Sequence, residues 1–477
     1  MRVKRLNIQL KANPDRVILN YFKLGDDSNS IRVQQLIARI IATPEEEINT
    51  LYAEIETKFS PRHRNFERSL EKNFKIIQPA IPAEMVFSKK RKLVLGAYFS
   101  KEYSIQSAAL FNPSMVVHPD QKGLKKGEKR FILSLRSVGE GHVSSIEFRS
   151  GIVDMNGKIT LDATTGFATC SEKKWDRVYN RFDKLKKTTI LNNFDQSIWN
   201  TFDESFTYDD YLKRVNNNEL LAFDETTQEQ LFRILDTNYD VETDSEAPIC
   251  ERVIFPNSVG ESKGMEDVRF VAFTENDITK YIGTYTAYDG HQITPQLIIT
   301  TDFVSFKIRS LFGSAVNDKG FALFPEKING KYVMLGRQGG EHITIMYSDD
   351  LFVWKDYKTI MTQEDTWGYV QLGNCGSPIK TNKGWLVITH AVGPLRKYVL
   401  GAILLDLDNP SKIIKKLNKP LLSANEEERE GYVPNVVYSC GAMVHEDNLI
   451  LPYAMSDSAS TFATINIEEL LNEMDAY

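Results

Sequence analysis

The stretch GKYVMLGRQ (330–338) contains a turn, an alternating apolar strand and a polar end. The same pattern returns 53 residues later in KGWLVITHA (383–391), and again after a further 64 residues in DNLILPYAM (447–455). KRFILSLRS (129–137) and VRFVAFTEN (268–276) match it earlier in the chain. Repeats of this length, each with three or four strands, indicate radial blades, since one such sheet cannot bury both faces until neighbours flank it. Five repeats predict an all-β fold, a five-bladed β-propeller.

Two helical segments interrupt this β pattern. Leu36, Ile37 and Ile40 recur at helical spacing within residues 1–84, which predicts a helical N-terminal extension. From Met85 the chain changes to short strands, so residues 85–477 are expected to form the propeller domain. Residues 165–248 consist of helical and polar stretches and predict an insertion between the first and second blades. The N-terminal helices are expected to pack on the main domain or to mediate self-association as a homo-oligomer.

Composition excludes several classes of function. The chain has 477 residues and a formal net charge of −6, and its Lys and Arg residues are scattered apart from the short run KKRK at 89–92. This distribution is not typical of a nucleic-acid-binding protein. No stretch approaches the roughly 18 apolar residues of a membrane span, and no apolar segment follows the basic N-terminus. We therefore expect a cytoplasmic protein without membrane or nucleic-acid partners.

The cysteines give no sign of a metal site or a disulfide framework. Cys170, Cys250, Cys375 and Cys440 are far apart and lack the paired spacing of zinc ligands. Buried, reduced thiols are the expected state. The sequence predicts no metal and no cofactor.

Charged residues at strand ends are the first candidates for chemistry, because the inner strands of a propeller converge on one funnel. The segment GESKGMEDVRFVAFTE (260–275) places Glu266, Asp267 and Arg269 after a glycine turn. On its own, this acidic pair with an arginine could equally be a solvated turn. Its position at the start of a repeat favours a site.

Cationic residues occupy matching places in the other repeats, namely Arg136, Lys319, Arg337 and His390. Four such groups in one cavity would repel each other unless an anion binds among them. Phosphate is the small dianion that charge-assisted hydrogen bonds hold well. The alternative is that each cation pairs with a local carboxylate.

Several longer motifs resemble glycoside hydrolase family 130, the mannoside phosphorylases and β-mannosidases. The most specific motif is GNCGSPIKTNKGWLVITHAVGPLRKYVLGAILL (373–405), and the others are FNPSMV (111–116), GMEDVRF (264–270), FPEKINGKYVMLGR (324–337) and EGYVPNVVYSCG (430–441). Their order along the chain makes a chance match improbable. The resemblance covers residues 100–470 apart from the insertion.

The resemblance implies roles for individual residues. Asp267 is expected to be the proton donor, although Val268 follows it where the family commonly has proline. The expected phosphate-binding residues are Lys319, Arg337, His390 and Tyr398, and the expected sugar contacts are Asn112, Arg136 and Ser145. Many phosphorylases of the family have a lysine where this chain has Gln371. Arg396 is a candidate to supply the missing charge.

The resemblance also implies the reaction, which is inverting phosphorolysis of β-mannosides with inorganic phosphate as co-substrate. β-1,2-linked mannobiose or oligomannan is the expected substrate and mannose 1-phosphate the expected product. One carboxylic acid suffices, because the attacking phosphate is already an anion. In the family the proton is thought to pass through a hydroxyl of the bound mannose. Tyr288 and Asp289, exposed by a YDG turn, are further expected sugar contacts.

Two alternatives stay open at this point. An inverting β-mannosidase would use Glu430 or Glu266 to activate water. A non-catalytic glycan-binding propeller would need no acid, and substitution of Asp267 distinguishes it from an enzyme.

Overall fold

The computed structural model describes residues 1–24, 30–174 and 176–477, and most of its regular structure is β-sheet. Residues 25–29 of the predicted extension and Trp175 of the predicted insertion lie outside the described residues. Five antiparallel units of four strands each follow one another along the chain, and we number them units 1 to 5.

The alternating apolar segments form the strands of these units. Unit 1 consists of Ala109–Val117, Lys129–Val138, Ser144–Val153 and Ile159–Leu161. Unit 2 consists of Gly264–Glu275, Ile278–Tyr288, Ile293–Thr300 and Ser305–Ser310. Unit 3 consists of Ala322–Leu323, Tyr332–Gly336, Ile343–Ser348 and Lys358–Met361. Unit 4 consists of Gln371–Asn374, Gly384–Val392, Tyr398–Leu405 and Ile413–Lys416. Unit 5 consists of Val437–Tyr438, Asn448–Met455, Ala459–Asn466 and the N-terminal strand Val3–Arg5.

The five units are arranged in a closed ring. The first strand of unit 1 contacts the first strand of unit 2 and the second strand of unit 5, and the remaining neighbours touch in chain order. Ser114 of unit 1 also forms a parallel bridge with Gly441, which follows the first strand of unit 5. A separate cluster of buried apolar side chains fills each of the five interfaces between neighbours. Burial between units therefore stabilises the ring, since a single sheet would leave one apolar face in water.

The N-terminal segment is only partly helical. Val3–Arg5 and Leu10–Lys11 pair with the third strand of unit 5, and Val17–Tyr21 pairs with Ser100–Ser104. The helices are α1 (Ile31–Ala42), α2 (Glu45–Phe59), α3 (Phe66–Ile77) and α4 (Lys89–Tyr98), which pack around one apolar cluster. The expectation of a helical segment over 1–84 thus needs correction at both ends. Strands of two to five residues carry too little periodicity to be read from sequence, and α4 extends the helices beyond residue 84.

The segment predicted as an insertion contains helices α5 (Arg181–Thr188), α6 (Tyr208–Asn216) and α7 (Glu225–Asp236). Its short strands are Thr169–Cys170, Glu172–Lys174, Val178–Asn180, Ser205–Thr207 and Asp240–Glu242. Buried Trp199, Phe202 and Phe206 give it an apolar cluster that also includes Phe312. Asp240–Glu242 pairs with the last strand of unit 2, so the segment extends the outer edge of that unit.

The other short elements complete the sheet edges. They are Arg252–Ile254, Ile379–Thr381, Leu422–Ser423, Met443–His445, the C-terminal strand Asp475–Ala476 and helix α8 (Ile467–Glu473). Within the described ranges, no helix combines the length and apolar character needed to cross a membrane.

Candidate active site

The inner strands of the ring surround a cavity of about 360 Å³. Residues from all five units or from the loops between them line it. The predicted site residues among them are Asn112, Arg136, Asp267, Arg269, Lys319, Arg337, Arg396 and Tyr398. The structure therefore brings together residues that are up to 286 positions apart in the sequence.

Two irregularities in the innermost strands aim side chains into this cavity. The pairing register of unit 2 shifts between Glu266 and Arg269, and that of unit 1 shifts between Phe111 and Ser114. Asp267 and Asn112 lie within these shifts and have left-handed backbones, with φ of 56° and 51°. Bulges of this kind turn a side chain out of the regular alternation, and backbone strain of this kind clusters at functional sites.

The carboxyl group of Asp267 is surrounded by donors. Asn112 Nδ2 lies 2.7 Å and Arg136 Nη1 3.2 Å from Asp267 Oδ1. Burial acts to raise the pKa of this carboxyl, but Arg136, the Asn112 hydrogen bond, Lys319 and Arg269 outweigh it and hold the pKa below its ordinary value. Asp267 is therefore an anion at neutral pH.

The carboxylate of Glu266 pairs with Arg136 and Lys319, two of the cations that were expected to face an anion. Its carboxylate accepts a 2.7 Å hydrogen bond from Arg136 Nη2 and a 3.0 Å hydrogen bond from Lys319 Nζ. The guanidinium of Arg136 also lies over the ring of Phe111, 5.1 Å from its centroid. For these two cations, pairing with a nearby carboxylate is part of the observed geometry, and that carboxylate is buried.

Arg269 and Arg337 retain unused donors. Arg269 Nη2 donates to the hydroxyl of Tyr438 over 2.8 Å, whereas its buried Nη1 has no hydrogen-bond partner among the described residues. Arg337 Nε likewise has no partner within the described part of the chain. A buried guanidinium N–H without an acceptor lowers the stability of the folded protein. Both N–H groups are therefore suited to donate a hydrogen bond to a ligand oxygen.

His390 does not add a positive charge to the cavity. Its side chain is fully buried, and Nε2 lies 3.0 Å from Arg337 Nη1. Because a guanidinium can only donate, this nitrogen must accept, which leaves the imidazole neutral. Burial, together with Arg337 and Arg269, places the pKa of His390 well below its ordinary value. A Cβ at Gly373 would lie 2.5 Å from His390 Cε1, so only glycine leaves room for this ring.

Arg396 and Tyr398 reach the cavity from the turn between the second and third strands of unit 4. Arg396 has a φ of 56°, and its guanidinium lies over the Tyr398 ring at 5.5 Å. Gln371 begins the first strand of unit 4 and pairs with Val392, and it does not line the cavity. Arg396 is therefore the cation that unit 4 presents there.

Four further predicted residues also lie away from the cavity wall. Ser145 is buried, with its hydroxyl 2.8 Å from that of Ser137. Tyr288 donates to Gly290 O, and Asp289 accepts from the backbone of its own turn at His291 and Gln292. These hydrogen bonds stabilise a tight turn, which explains why exposure of the YDG motif does not make it a cavity wall. Glu430 is 81% exposed and lies 3.8 Å from Arg429.

Asp457 and Tyr438 line the cavity but were not predicted from the sequence. Asp457 lines the cavity directly after the second strand of unit 5, with a φ of 51°. Burial and the neighbouring Asp267 raise its pKa to about 6, against the opposing effect of Arg136 and Arg396. The rule that polar residues follow equivalent strands would have found Asp457, had the repeat DNLILPYAM been extended by two residues. His142 and Tyr432, whose ring centroids are 6.0 Å apart, complete the mouth of the cavity.

The chain is similar to a known family and to individual proteins of that family. Residues 222–476 match the sequence profile of glycoside hydrolase family 130, described as β-1,4-mannooligosaccharide phosphorylase. A 1,2-β-oligomannan phosphorylase from Thermoanaerobacter sp. (strain X514) is 38% identical over 213 residues, which are 44% of this chain and 71% of the relative. A β-1,2-mannobiose phosphorylase from the same organism is 32% identical over 305 residues, or 61% of this chain and 99% of the relative.

One solved structure was compared as well. The β-1,2-mannobiose phosphorylase from Listeria innocua, in complex with β-1,2-mannobiose, superposes with a TM-score of 0.47 and 20% sequence identity. The superposition covers 78% of this chain and 92% of that protein.

Proposed function

The chain belongs to glycoside hydrolase family 130, and from this premise we propose that it phosphorolyses β-1,2-linked mannosides and releases mannose 1-phosphate. Both relatives described above are named for β-1,2-linked mannosides, which is the basis for choosing this linkage. The closed ring of five four-stranded units is consistent with a five-bladed β-propeller. We assign helices α1 to α4 to an N-terminal extension and residues 165–248 to an insertion within the catalytic domain, which also includes the N-terminal strand Val3–Arg5.

The balance of charge in the cavity carries this proposal. Five cationic side chains line it: Arg136, Arg269, Lys319, Arg337 and Arg396. The carboxylates facing them are Asp267, Asp457 and the ion-paired Glu266, which leaves a surplus of two positive charges. A phosphate dianion matches this surplus, and charge-assisted hydrogen bonds from Arg269 Nη1 and Arg337 Nε would satisfy two buried donors.

The proposed reaction uses each group once. A phosphate oxygen, held by Arg337, Arg396 and Arg269, attacks the anomeric carbon of mannose as the glycosidic carbon–oxygen bond breaks on the opposite face. The departing sugar oxygen takes a proton from Asp267, directly or through a mannose hydroxyl. The product is α-mannose 1-phosphate, because a single displacement inverts the anomeric carbon.

Asp267 must carry a proton to act in this way, although the surrounding donors and cations lower its pKa and favour the anion. A bound phosphate dianion offsets the field of the surrounding cations and so acts to raise the pKa of Asp267. Phosphate thus serves as nucleophile and also favours the protonated acid. The order of binding expected from this coupling is phosphate before or together with the sugar.

Neither carboxylate expected for hydrolysis is free to activate water. Glu430 is outside the cavity wall, and Glu266 is held by Arg136 and Lys319. An inverting hydrolase needs an unengaged base roughly 6.5–9.5 Å from the acid. The geometry therefore supports neither of these two residues as the base of a hydrolase.

Product analysis with and without phosphate tests the proposal. The protein is incubated with β-1,2-mannobiose, and mannose 1-phosphate is followed by phosphorus NMR while free mannose is followed by chromatography. Mannose 1-phosphate is expected in equimolar amount with mannose, and only when phosphate is present. Release of mannose at an equal rate without phosphate would contradict it.

A further inference from the structure

A second cavity of about 560 Å³ shares no lining residue with the cavity that holds Asp267. Its walls are helix α3, the strand Val17–Tyr21, and the two strands Thr169–Cys170 and Glu172–Lys174, together with the turn at 242–245. It is larger than the 360 Å³ cavity that holds Asp267. It thus has room for a ligand of several hexose units.

Most of the walls of this cavity are formed by residues 18–174 and so lie outside residues 222–476, the range that matches the family profile. The β-1,2-mannobiose phosphorylase relative is matched over 99% of its own length by only 61% of this chain. The cavity is therefore a candidate for a binding function that is separate from the reaction shared with the relatives.

The walls combine donors and acceptors, and each of their lysine and arginine side chains is ion-paired with a nearby carboxylate: Arg64 with Glu251, Arg68 and Lys72 with Glu172, Lys173 with Asp236, and Lys174 with Glu242. Amide side chains come from Asn20, Asn65 and Asn73, and hydroxyls from Ser69 and Thr169. A neutral ligand with many hydroxyl groups matches such walls, because each hydroxyl both donates and accepts.

The ionised groups of the walls are held in pairs. Arg68 Nη2 lies 2.8 Å from Glu172, and Arg64 forms a two-point contact of 2.5 Å with Glu251. An anion would have to compete with these carboxylates, so an anionic ligand is disfavoured. The single contact of Arg68 with Glu172 involves one of the five N–H groups of its guanidinium.

We propose that this cavity is a second oligosaccharide-binding site, which holds a distant part of a β-mannan while another part occupies the active site. The identity of the sugar rests on the proposed function. Along the hydrogen-bonded sheet, Thr169–Cys170 is three strand-to-strand steps from the strand that carries Asp267, and Glu172–Lys174 is five steps from it, which corresponds to about 14 and 24 Å. A disaccharide is too short to reach both sites. A long chain held at the outer site has a raised effective concentration at the inner one.

Two substitutions in α3 test the site. Ser69→Trp fills the cavity with a bulky ring, and Arg68→Ala removes a side chain that is 68% exposed and is thus safe for folding. Lys75→Ala is the matched control, because Lys75 is exposed on the same helix and does not line the cavity. The KM for β-1,2-linked mannohexaose is expected to rise roughly tenfold in both test variants. Turnover of β-1,2-mannobiose should equal that of the wild type in all three.

Calorimetric titration with mannohexaose in the absence of phosphate provides a readout independent of turnover. One mannohexaose molecule is expected to bind per chain in the wild type, with a Kd roughly tenfold lower than in Ser69→Trp, because it contacts both sites. Equal Kd and equal KM for mannohexaose in the wild type and both test variants would overturn the second site, even with normal phosphorolysis of mannobiose. A Kd that is raised in Ser69→Trp, without any phosphate-dependent product from the wild type, would instead overturn the proposed function and leave the glycan site standing.

Discussion

Asn112 donates a 2.7 Å hydrogen bond to the carboxylate of Asp267, across an interface between two units of the ring. The two residues are 155 positions apart in the sequence, yet each lies in a register shift of an innermost strand and has a left-handed backbone. Two local distortions therefore meet at one contact. Because the contact stabilises the charged form of the acid, it lowers the fraction of Asp267 that is protonated at a given pH.

Substitution of the acid is expected to abolish most turnover. Asp267→Asn keeps the shape and the left-handed backbone, since asparagine tolerates this conformation well, but it cannot donate the proton that the leaving oxygen needs. We expect kcat to fall about 10²–10⁴-fold. The measurement is the initial rate of mannose 1-phosphate formation, with the melting temperature as a control for folding. An unchanged rate would mean that another group is the acid.

Removal of the Asn112 amide is expected to shift the pH dependence of the reaction. Asn112→Gly permits the positive φ and deletes the hydrogen bond that lowers the pKa of Asp267. The pKa of Asp267 should rise, so the protonated acid should persist to higher pH. The alkaline limb of kcat/KM is therefore expected to move upward. A shift in the opposite direction would show that Asn112 favours the protonated form.

The five-unit fold could be predicted from sequence because each strand shows its own alternation of apolar and polar residues. Four of the recurring segments lie on the second strand of a unit, among them KRFILSLRS and KGWLVITHA. VRFVAFTEN instead belongs to the first strand of unit 2. Both strands of a hairpin alternate in the same way, so the pattern alone does not distinguish them. Asp267 therefore belongs to a first strand, whereas Arg136 lies in a second strand and Arg337 directly follows one, although all three were expected at equivalent strand ends.

The charge state of the site could not be predicted, because it depends on contacts between units. The sequence places Arg136 and His390 at strand ends as two further cations. Folding pairs Arg136 with Glu266 and Asp267, and it buries His390 as a neutral acceptor behind Arg337. Eight of the residues that were predicted from the sequence line the cavity. Only the side-chain geometry decides which of them keeps a charge for the anion.

Arg337 is expected to govern phosphate binding and not sugar binding. Its guanidinium is oriented by His390 and has an unused Nε donor in a cavity with surplus positive charge. Loss of a hydrogen bond to a charged ligand costs about 1.5–3 kcal/mol, so Arg337→Ala should raise the KM for phosphate roughly ten- to hundredfold. The KM for mannobiose should change little. Arg337→Lys is the matched variant that keeps the charge, and it should recover only part of the affinity because it lacks the fork geometry. Equal effects on both substrates would contradict a phosphate-specific role.

Asp457 is expected to make stability depend on pH in the weakly acidic range. Its pKa is raised from 3.8 to about 6 in the folded protein, so the folded state binds this proton more tightly than the unfolded chain. Its contribution to stability is therefore present at low pH and is lost as pH rises from about 4 to about 6. Asp457→Asn should raise the melting temperature relative to wild type more at pH 7.5 than at pH 4.5. An equal difference at both pH values would contradict the raised pKa.

The N-terminal segment is expected to be essential for stability through one buried ion pair. Arg16 donates to Glu147 over 2.9 Å and to Cys250 O over 2.8 Å, and the side chains of Arg16 and Glu147 are at most 2% exposed. Gln106 donates to the same carboxylate, so removing the arginine leaves a buried charge only partly satisfied. Loss of one partner of such a pair costs about 3–5 kcal/mol, and Arg16→Met should lower the urea midpoint accordingly.

The Glu147 carboxylate also lies 3.5 Å from Nη1 of Arg149, which is buried beside it. Because Glu147→Met would leave Arg149 buried without this carboxylate, we expect Arg16→Met/Glu147→Met to be no more stable than Arg16→Met alone. Lys4→Met serves as the control, because Lys4 is exposed on the strand Val3–Arg5 of the same segment. If Arg16→Met and Lys4→Met had equal midpoints, the pair would not be what fastens the N-terminal segment to unit 1.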